Sequence, residues 1–272
     1  GQGIVSSCRK SAGPNQARAS AARSIQGRFM ANTALLNNID HADLKIVTRR
    51  GAEFGDSVNQ VAVYPTEFSE LQRDYPIFFR KDEAGNYFCV VLMGLDKGEN
   101  LFLAGDRWNA NYVPALLQRG PFLIGFQDQN VDGKVRREPV IHVDLDNPRV
   151  SKTEGEPLFL AQGGNAPYLQ HVSQVLRVIA IGDEMTKPMF EAFDQAGLIE
   201  PVSLDLKLDD HTEYKVPDLF TLSEERLAAL EGEMLERLHK GGFLRAAYLV
   251  LASLSNVNRL INMKNAKRSA AG

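Results

Sequence analysis

Acidic residues are missing from the start of the chain. Between Gly1 and Phe29 there are five cations (Arg9, Lys10, Arg18, Arg23, Arg28) and no Asp or Glu, and the first acid is Asp40. Cysteine is scarce as well: Cys8 and Cys89 are the only two in 272 residues, too few for a disulfide framework. Free thiols in a reducing compartment follow, and the apolar neighbours of Cys89 keep its thiol inert. No apolar run approaches the ~18–20 residues that a membrane-crossing helix needs, so no span is expected. No apolar stretch of ~7–15 residues makes the basic leader a secretory signal. Val5-Ser6-Ser7-Cys8 resembles a lipoprotein box, but the residues before it are few and uncharged. The motifs G-x-S-x-G, G-x-G-x-x-G, the P-loop and H-E-x-x-H are all absent, which removes the signatures of hydrolase elbows, dinucleotide and phosphate cradles and zinc peptidases.

What is present divides by charge. The formal net charge of −3 averages the basic leader with a body, Met30 to Gly272, that carries 26 cations against 34 anions. An acidic body argues against nucleic acid, because phosphate recognition rests on a basic surface. The doublets Arg49–Arg50 and Arg136–Arg137 do not reverse that. Residues 1–29 read as a disordered leader, either upstream or cloning-derived sequence or an Arg- and Ser-rich transit peptide. Residues 30–265 read as a single domain and 266–272 as a flexible tail.

Strands are expected at 45–50, 58–64 and 77–80, and Tyr87–Leu95 reads as a central strand buried on both faces. Short connections make the pairing antiparallel. Thr66–Arg73 reads as a short helix. Asp106 is placed to cap a helix over Arg107–Leu117, with Pro114 bending or ending it. Further strands flank a hairpin turn at Asp132-Gly133. Pro148–Gly164 is the best internal boundary. A helix over 167–181 is followed by a second, capped by Thr186. Val202, Leu204 and Leu206 alternate with polar residues as a half-exposed strand, a turn follows at Asp209-Asp210, and His211–Leu222 returns as its partner. Ser223 caps a helix that Gly241 stops, and a last helix runs from Phe243 to about Met263, folding back as a helical hairpin. The class is α+β: an antiparallel, meander-rich sheet with a C-terminal helical hairpin packed on it.

Chemistry is thinly signalled. Asp128-Gln129-Asn130-Val131-Asp132-Gly133 opens like a calcium loop, yet its twelfth position is Pro139 and Lys134 and Arg136 bring cations among the ligands, so it reads as a solvated turn. No metal and no cofactor is expected. His142 and Asp144 lie two apart on one strand face, where an imidazole and a carboxylate can meet; an exposed polar face accounts for them equally. Aromatics and prolines concentrate between Tyr75 and Phe126. They build a core, or they line a groove for a sugar or peptide with Trp108 at its edge. The binding candidates of that region are Glu99, Asn100, Arg107, Trp108 and Tyr112.

The same region carries a family likeness. Tyr75-Pro76-Ile77-Phe78, Leu92-Met93-Gly94-Leu95, Gly98-Glu99-Asn100-Leu101-Phe102, Trp108, Tyr112-Val113-Pro114-Ala115 and Arg119-Gly120-Pro121-Phe122 resemble the SapC family of bacterial proteins. The resemblance continues through Gly155-Glu156-Pro157-Leu158-Phe159, Gly197-Leu198-Ile199-Glu200-Pro201, Ser223-Glu224-Glu225-Arg226-Leu227 and Leu254-Ser255-Asn256-Val257. It implies a non-enzymatic accessory protein, tied by the family name to the bacterial surface layer. It also implies the company of loci for outer-membrane receptors, halogenase-like flavoproteins and cupin-like proteins, some serving carbohydrate uptake. It supplies no catalytic residues. A cytoplasmic location with a protein partner or a small sugar or peptide ligand is expected. An enzyme acting with cupin- or halogenase-like partners, a binding protein of that kind, and a structural surface-layer component at the cell surface stay open.

Overall fold

A computed structural model describes residues 32–131, 134–208 and 212–270. The leader and the turns at Asp132-Gly133 and Asp209–His211 lie outside the described residues. Along the chain come β1 (Thr33–Leu35), β2 (Lys45–Ile46) and β3 (Gln60–Val63), then a 3-10 turn at Pro65–Glu67 that runs into α1 (Phe68–Leu71). Next are β4 (Ile77–Lys81), β5 (Tyr87–Leu92), β6 (Leu103–Ala104), β7 (Arg107–Trp108) and α2 (Ala115–Gln118). A long hairpin, β8 (Phe122–Val131) and β9 (Lys134–Asp144), is followed by β10 (Val150–Ser151) and β11 (Glu156–Pro157). The last part is α3 (Pro167–Gln195), β12 (Ile199–Lys207), β13 (Glu213–Leu222), α4 (Glu224–Ala228), α5 (Gly232–Lys240), α6 (Phe243–Ser253) and α7 (Asn256–Ser269).

The expected α+β class is what the chain adopts, and every described strand pairing is antiparallel. The main sheet has five strands in the order β12-β13-β4-β5-β3. β5 is an interior strand, between β4 and β3, and its run of Cys89, Val90, Val91 and Leu92 is apolar and buried on both faces. On one side Phe79 and Phe190 meet edge to face at 4.9 Å, and Phe193 adds a second ring contact with Phe79. Each such aromatic, removed from water, contributes on the order of 2–3 kcal/mol. β13 joins β4 at Phe220 opposite Phe79 only, so the rest of the β12–β13 hairpin projects from the sheet. A bulge between Val202 and Leu204 and the positive φ of Asp218, 58°, mark the bend.

Several local expectations change. The residues at 103–108 form a tight hairpin, not a capped helix: Leu103 opposes Trp108 and Ala104 opposes Arg107. Gly105, at φ 65°, supplies the left-handed position of the turn, and Pro114 delays the helix to Ala115. The two helices expected at 167–181 and after Thr186 are one helix of 29 residues, about 43 Å long, with Pro188 inside it. Thr186 caps nothing; its hydroxyl donates 2.8 Å back to the Gly182 carbonyl. Tertiary packing outweighs the proline because α3 lies along two buried clusters. Leu169, Val172 and Leu176 pack with Ile46, Phe122 and Val143, while Met189, Phe190 and Phe193 pack on the main sheet. Pro148–Gly164 makes no bare linker, since β10 and β11 both pair with β2. Ser223 does cap its helix, but that helix ends at Ala228 and a new one begins at Gly232, φ 60°. α6 and α7 likewise replace one long helix, and α7 runs on to Ser269, inside the segment read as a tail. The helical hairpin forms at Gly241–Gly242, where Gly242 at φ 75° reverses the chain between α5 and α6.

Candidate functional site

The hairpin β6–β7 turns Arg107 outward and tucks Trp108 half under the surface. The indole N–H donates 2.6 Å to the hydroxyl of Tyr75, and that hydroxyl donates 2.6 Å to the carbonyl of Tyr112. The hydroxyl of Tyr112 in turn donates 3.1 Å to the carboxylate of Glu67. Tyr75 is fully buried, its ring 4.6 Å from that of Phe102. Burial pushes both phenols upward and keeps them protonated, so they serve as hydrogen-bond donors and not as bases. The guanidinium of Arg50 lies over the Trp108 ring, 5.7 Å from its centre.

Arg50 belongs to a charged knot. Its guanidinium reaches Asp56 at 3.4 Å and the Leu117 carbonyl at 3.1 Å. Arg149, 5% exposed, holds Asp56 at 2.7 Å and the carbonyls of Val47 and Arg49 at 3.0 and 2.8 Å. The Gly51 N–H closes on the same carboxylate at 2.9 Å. Asp56 is thus neutralised from two sides, and the knot as a whole keeps one positive charge. It fastens the 47–56 segment beneath Trp108.

Glu99 and Asn100 face inward. Asn100 donates 2.8 Å to the Asp56 carbonyl and accepts from the Phe102 N–H at 3.0 Å. The carboxylate of Glu99 is held by Lys264 at 2.7 Å, by Lys267 at 3.0 Å and by the N–H groups of Leu95 and Asp96 at 3.2 and 3.4 Å. Burial pushes its pKa up, but the two ammonium groups and the backbone donors together outweigh that and bring it down to about 2. Burial likewise opposes the charge of Lys264, yet Asp96 and Glu99 carry it up to about 12. Of the five binding candidates, then, Glu99 and Asn100 hold loops together, Tyr112 and Trp108 are half-buried, and Arg107 is exposed.

Sequence reasoning missed Glu67, Asp56, Arg149 and Lys264. Only the Arg49–Arg50 doublet pointed toward the knot, and its partners are remote in the chain. Asp74 was missed too: it pairs with Arg259 and accepts from the N–H of Asn111 at 2.8 Å, fastening α7 behind the same segment.

His142 and Asp144 share a strand face as expected but make no hydrogen bond to each other among the described residues. The imidazole packs over Gly125 of β8, where a Cβ would come within 2.6 Å of it. Asp144 accepts from the Asp146 N–H at 3.2 Å. Nearby, an open groove of about 300 Å³ runs between β1, β9 and α3, lined mainly by Leu35, Val140, Phe159 and Leu169. Asn165 adds a polar side chain to its lining, and no charged side chain lines it. Among the described residues no group of three or more His, Cys, Asp or Glu side chains is placed to hold a metal. Cys89 is buried, and burial pushes its thiol well up. Among the described residues no helix is long and apolar enough to cross a membrane.

The SapC family model matches residues 36–260, nearly all of the chain described above. Neither curated proteins nor solved structures give a significant match.

Proposed function

The chain belongs to the SapC family, and from that premise we propose that it is a bacterial accessory protein which acts by binding and not by catalysis. Its working face is the outer side of the β6–β7 hairpin, with Arg107 and Trp108 at the centre and Tyr112 beneath. The observation that supports this reading is the way Trp108 is held. Its only polar atom is satisfied from behind by Tyr75, so the part of the ring left at the surface is apolar, and the guanidinium of Arg50 lies against the ring. An aromatic plate with a guanidinium against it suits a sugar ring or an extended peptide. On the strength of the family likeness, we place the protein inside the cell beside surface-layer and nutrient-uptake components.

Trp108 is the chain's single tryptophan, so its emission reports directly on this face. A panel of neutral oligosaccharides and synthetic peptides is expected to contain members that quench it. Arg107→Ala should weaken that quenching at least tenfold while leaving the thermal midpoint unchanged, since Arg107 is exposed. Trp108→Ala should abolish binding measured by calorimetry. If both variants are folded and bind as the parent does, the working face lies elsewhere. Fractionation of the bacterial cell should find the protein in the cytoplasm; recovery from the cell surface would favour a surface-layer component instead.

A further inference from the structure

Glu67 has an unusual position. It is 1% exposed, and among the described residues no Lys, Arg or His forms an ion pair with it. It accepts three hydrogen bonds and makes no other: Ala115 N–H at 2.7 Å and Tyr112 O–H at 3.1 Å on one oxygen, Tyr64 N–H at 3.0 Å on the other. All three neighbours are donors, so the arrangement fits the carboxylate and not the acid. Through these bonds one side chain ties the 65–67 turn to the first residue of α2 and to Tyr112.

We propose that Glu67 is a protonation switch for the Trp108 face, read out along the chain Glu67–Tyr112–Tyr75–Trp108. The proposal rests on the reading of that face as the working surface. Protonation places a hydrogen on a group whose partners are two backbone N–H groups, which cannot accept it, and one hydroxyl, which can. The acid can therefore be satisfied only if the Tyr112 bond reverses, with Glu67 donating and the Tyr112 proton turning away. Tyr112 carries the carbonyl that receives the Tyr75 hydroxyl, and Tyr75 receives the indole N–H. A changed position of Tyr112 thus reaches Trp108 through two short hydrogen bonds.

The groups that face Glu67 do not hold it ionised by charge. Tyr64 and Tyr112 lie beside it, as does Cys89 from β5, and all are neutral at ordinary pH. Asp183 of α3 and Arg119 after α2 act on Tyr64 with opposite signs, and Glu70 of α1 acts on Tyr112. Burial pushes the Glu67 carboxyl up to about 6 against the pull of its three donors, which brings the transition into the range cells visit.

The test is the emission of Trp108 in the intact, ligand-free protein between pH 4.5 and 8. A single-proton transition with a midpoint near pH 6 is expected, and Glu67→Gln should remove it. Tyr112→Phe removes the hydroxyl that carries the reversal, so the Trp108 transition should be lost there too. The variants separate Glu67 from every other group of the chain: a midpoint that persists in Glu67→Gln overturns the proposal. So does an emission that is flat across the range. Should Glu67→Gln fail to fold, Tyr112→Phe decides, and a transition that persists there unchanged overturns the switch. Because no ligand is present, a titrating Trp108 combined with a failure of every binding probe would sink the working-face reading and leave the switch standing.

Discussion

Lys264 shows how a single side chain can bind the end of the chain to its middle. It is 5% exposed, and its ammonium lies 2.5 Å from Asp96 and 2.7 Å from Glu99. Replacing it by Ala leaves the buried Glu99 carboxylate with Lys267 as its remaining cation. Because removing one partner of a buried pair leaves a charge uncompensated, Lys264→Ala should lower unfolding free energy by about 3 kcal/mol, measured in urea. Glu99 also predicts an acid limb. Its folded pKa, about 2, is below the usual 4.5, so its contribution is full above pH 4.5 and is lost as pH falls toward 2. Urea midpoints at pH 5 and pH 2.5 should differ by less in Glu99→Gln than in the parent. Trp108, Tyr75 and Tyr112 were visible in the sequence as an aromatic cluster. Their mutual hydrogen bonds were not, since each joins residues far apart in the chain.

Among the elements, α3 carries the sharpest steric constraint. Its Gly182 sits so close to the 64–66 turn that a Cβ there would come within 2.4 Å of the Tyr64 Cβ and 2.5 Å of the Thr66 hydroxyl oxygen. Thr66 uses that approach to donate 3.0 Å to the Val178 carbonyl. Gly182→Ala gains about 1 kcal/mol in helix propensity, yet the forced separation should dominate and lower stability by about 1–3 kcal/mol; thermal denaturation would show a rise instead if the turn can move aside. The same turn carries Glu67, whose pKa is raised from 4.5 to about 6. A carboxyl raised in the native state favours folding in its protonated form. Its contribution, about 2 kcal/mol, is therefore full below pH 4.5 and is lost as pH rises through 6. Urea midpoints measured from pH 4.5 to 7.5 should carry a downward component in the parent that Glu67→Gln lacks. Here the sequence pattern misled in one direction: Pro188, Asp106 and Thr186 have the local signature of helix ends, but α3 passes through Pro188 because both of its halves are buried.

Over the whole molecule, α3 joins the cluster around Phe122 and Val143 to the larger one around Phe78 and Phe79. Unfolding one cluster exposes part of the helix that the other needs, so both should melt together. Far-ultraviolet circular dichroism and Trp108 emission are expected to give coincident thermal transitions; two separated steps would show that the clusters are independent. The charge split, the α+β class, the buried strand β5, the β8–β9 and β12–β13 hairpins and the family likeness were all legible in the amino-acid sequence. They depend on composition, on periods of two and near four, and on turn residues, all of which act over a few positions. Whether a polar residue in the aromatic region faces a partner or the interior was decided only by tertiary structure. Glu99 and Asn100 look like surface groups until Lys264 and Asp56 reach them from distant segments. Glu67 looks like an ordinary helix-start acid until α2 and Tyr112 close over it. Burial, and with it ionisation, is a property of what packs on a residue, and that packing comes from parts of the chain that local pattern does not connect.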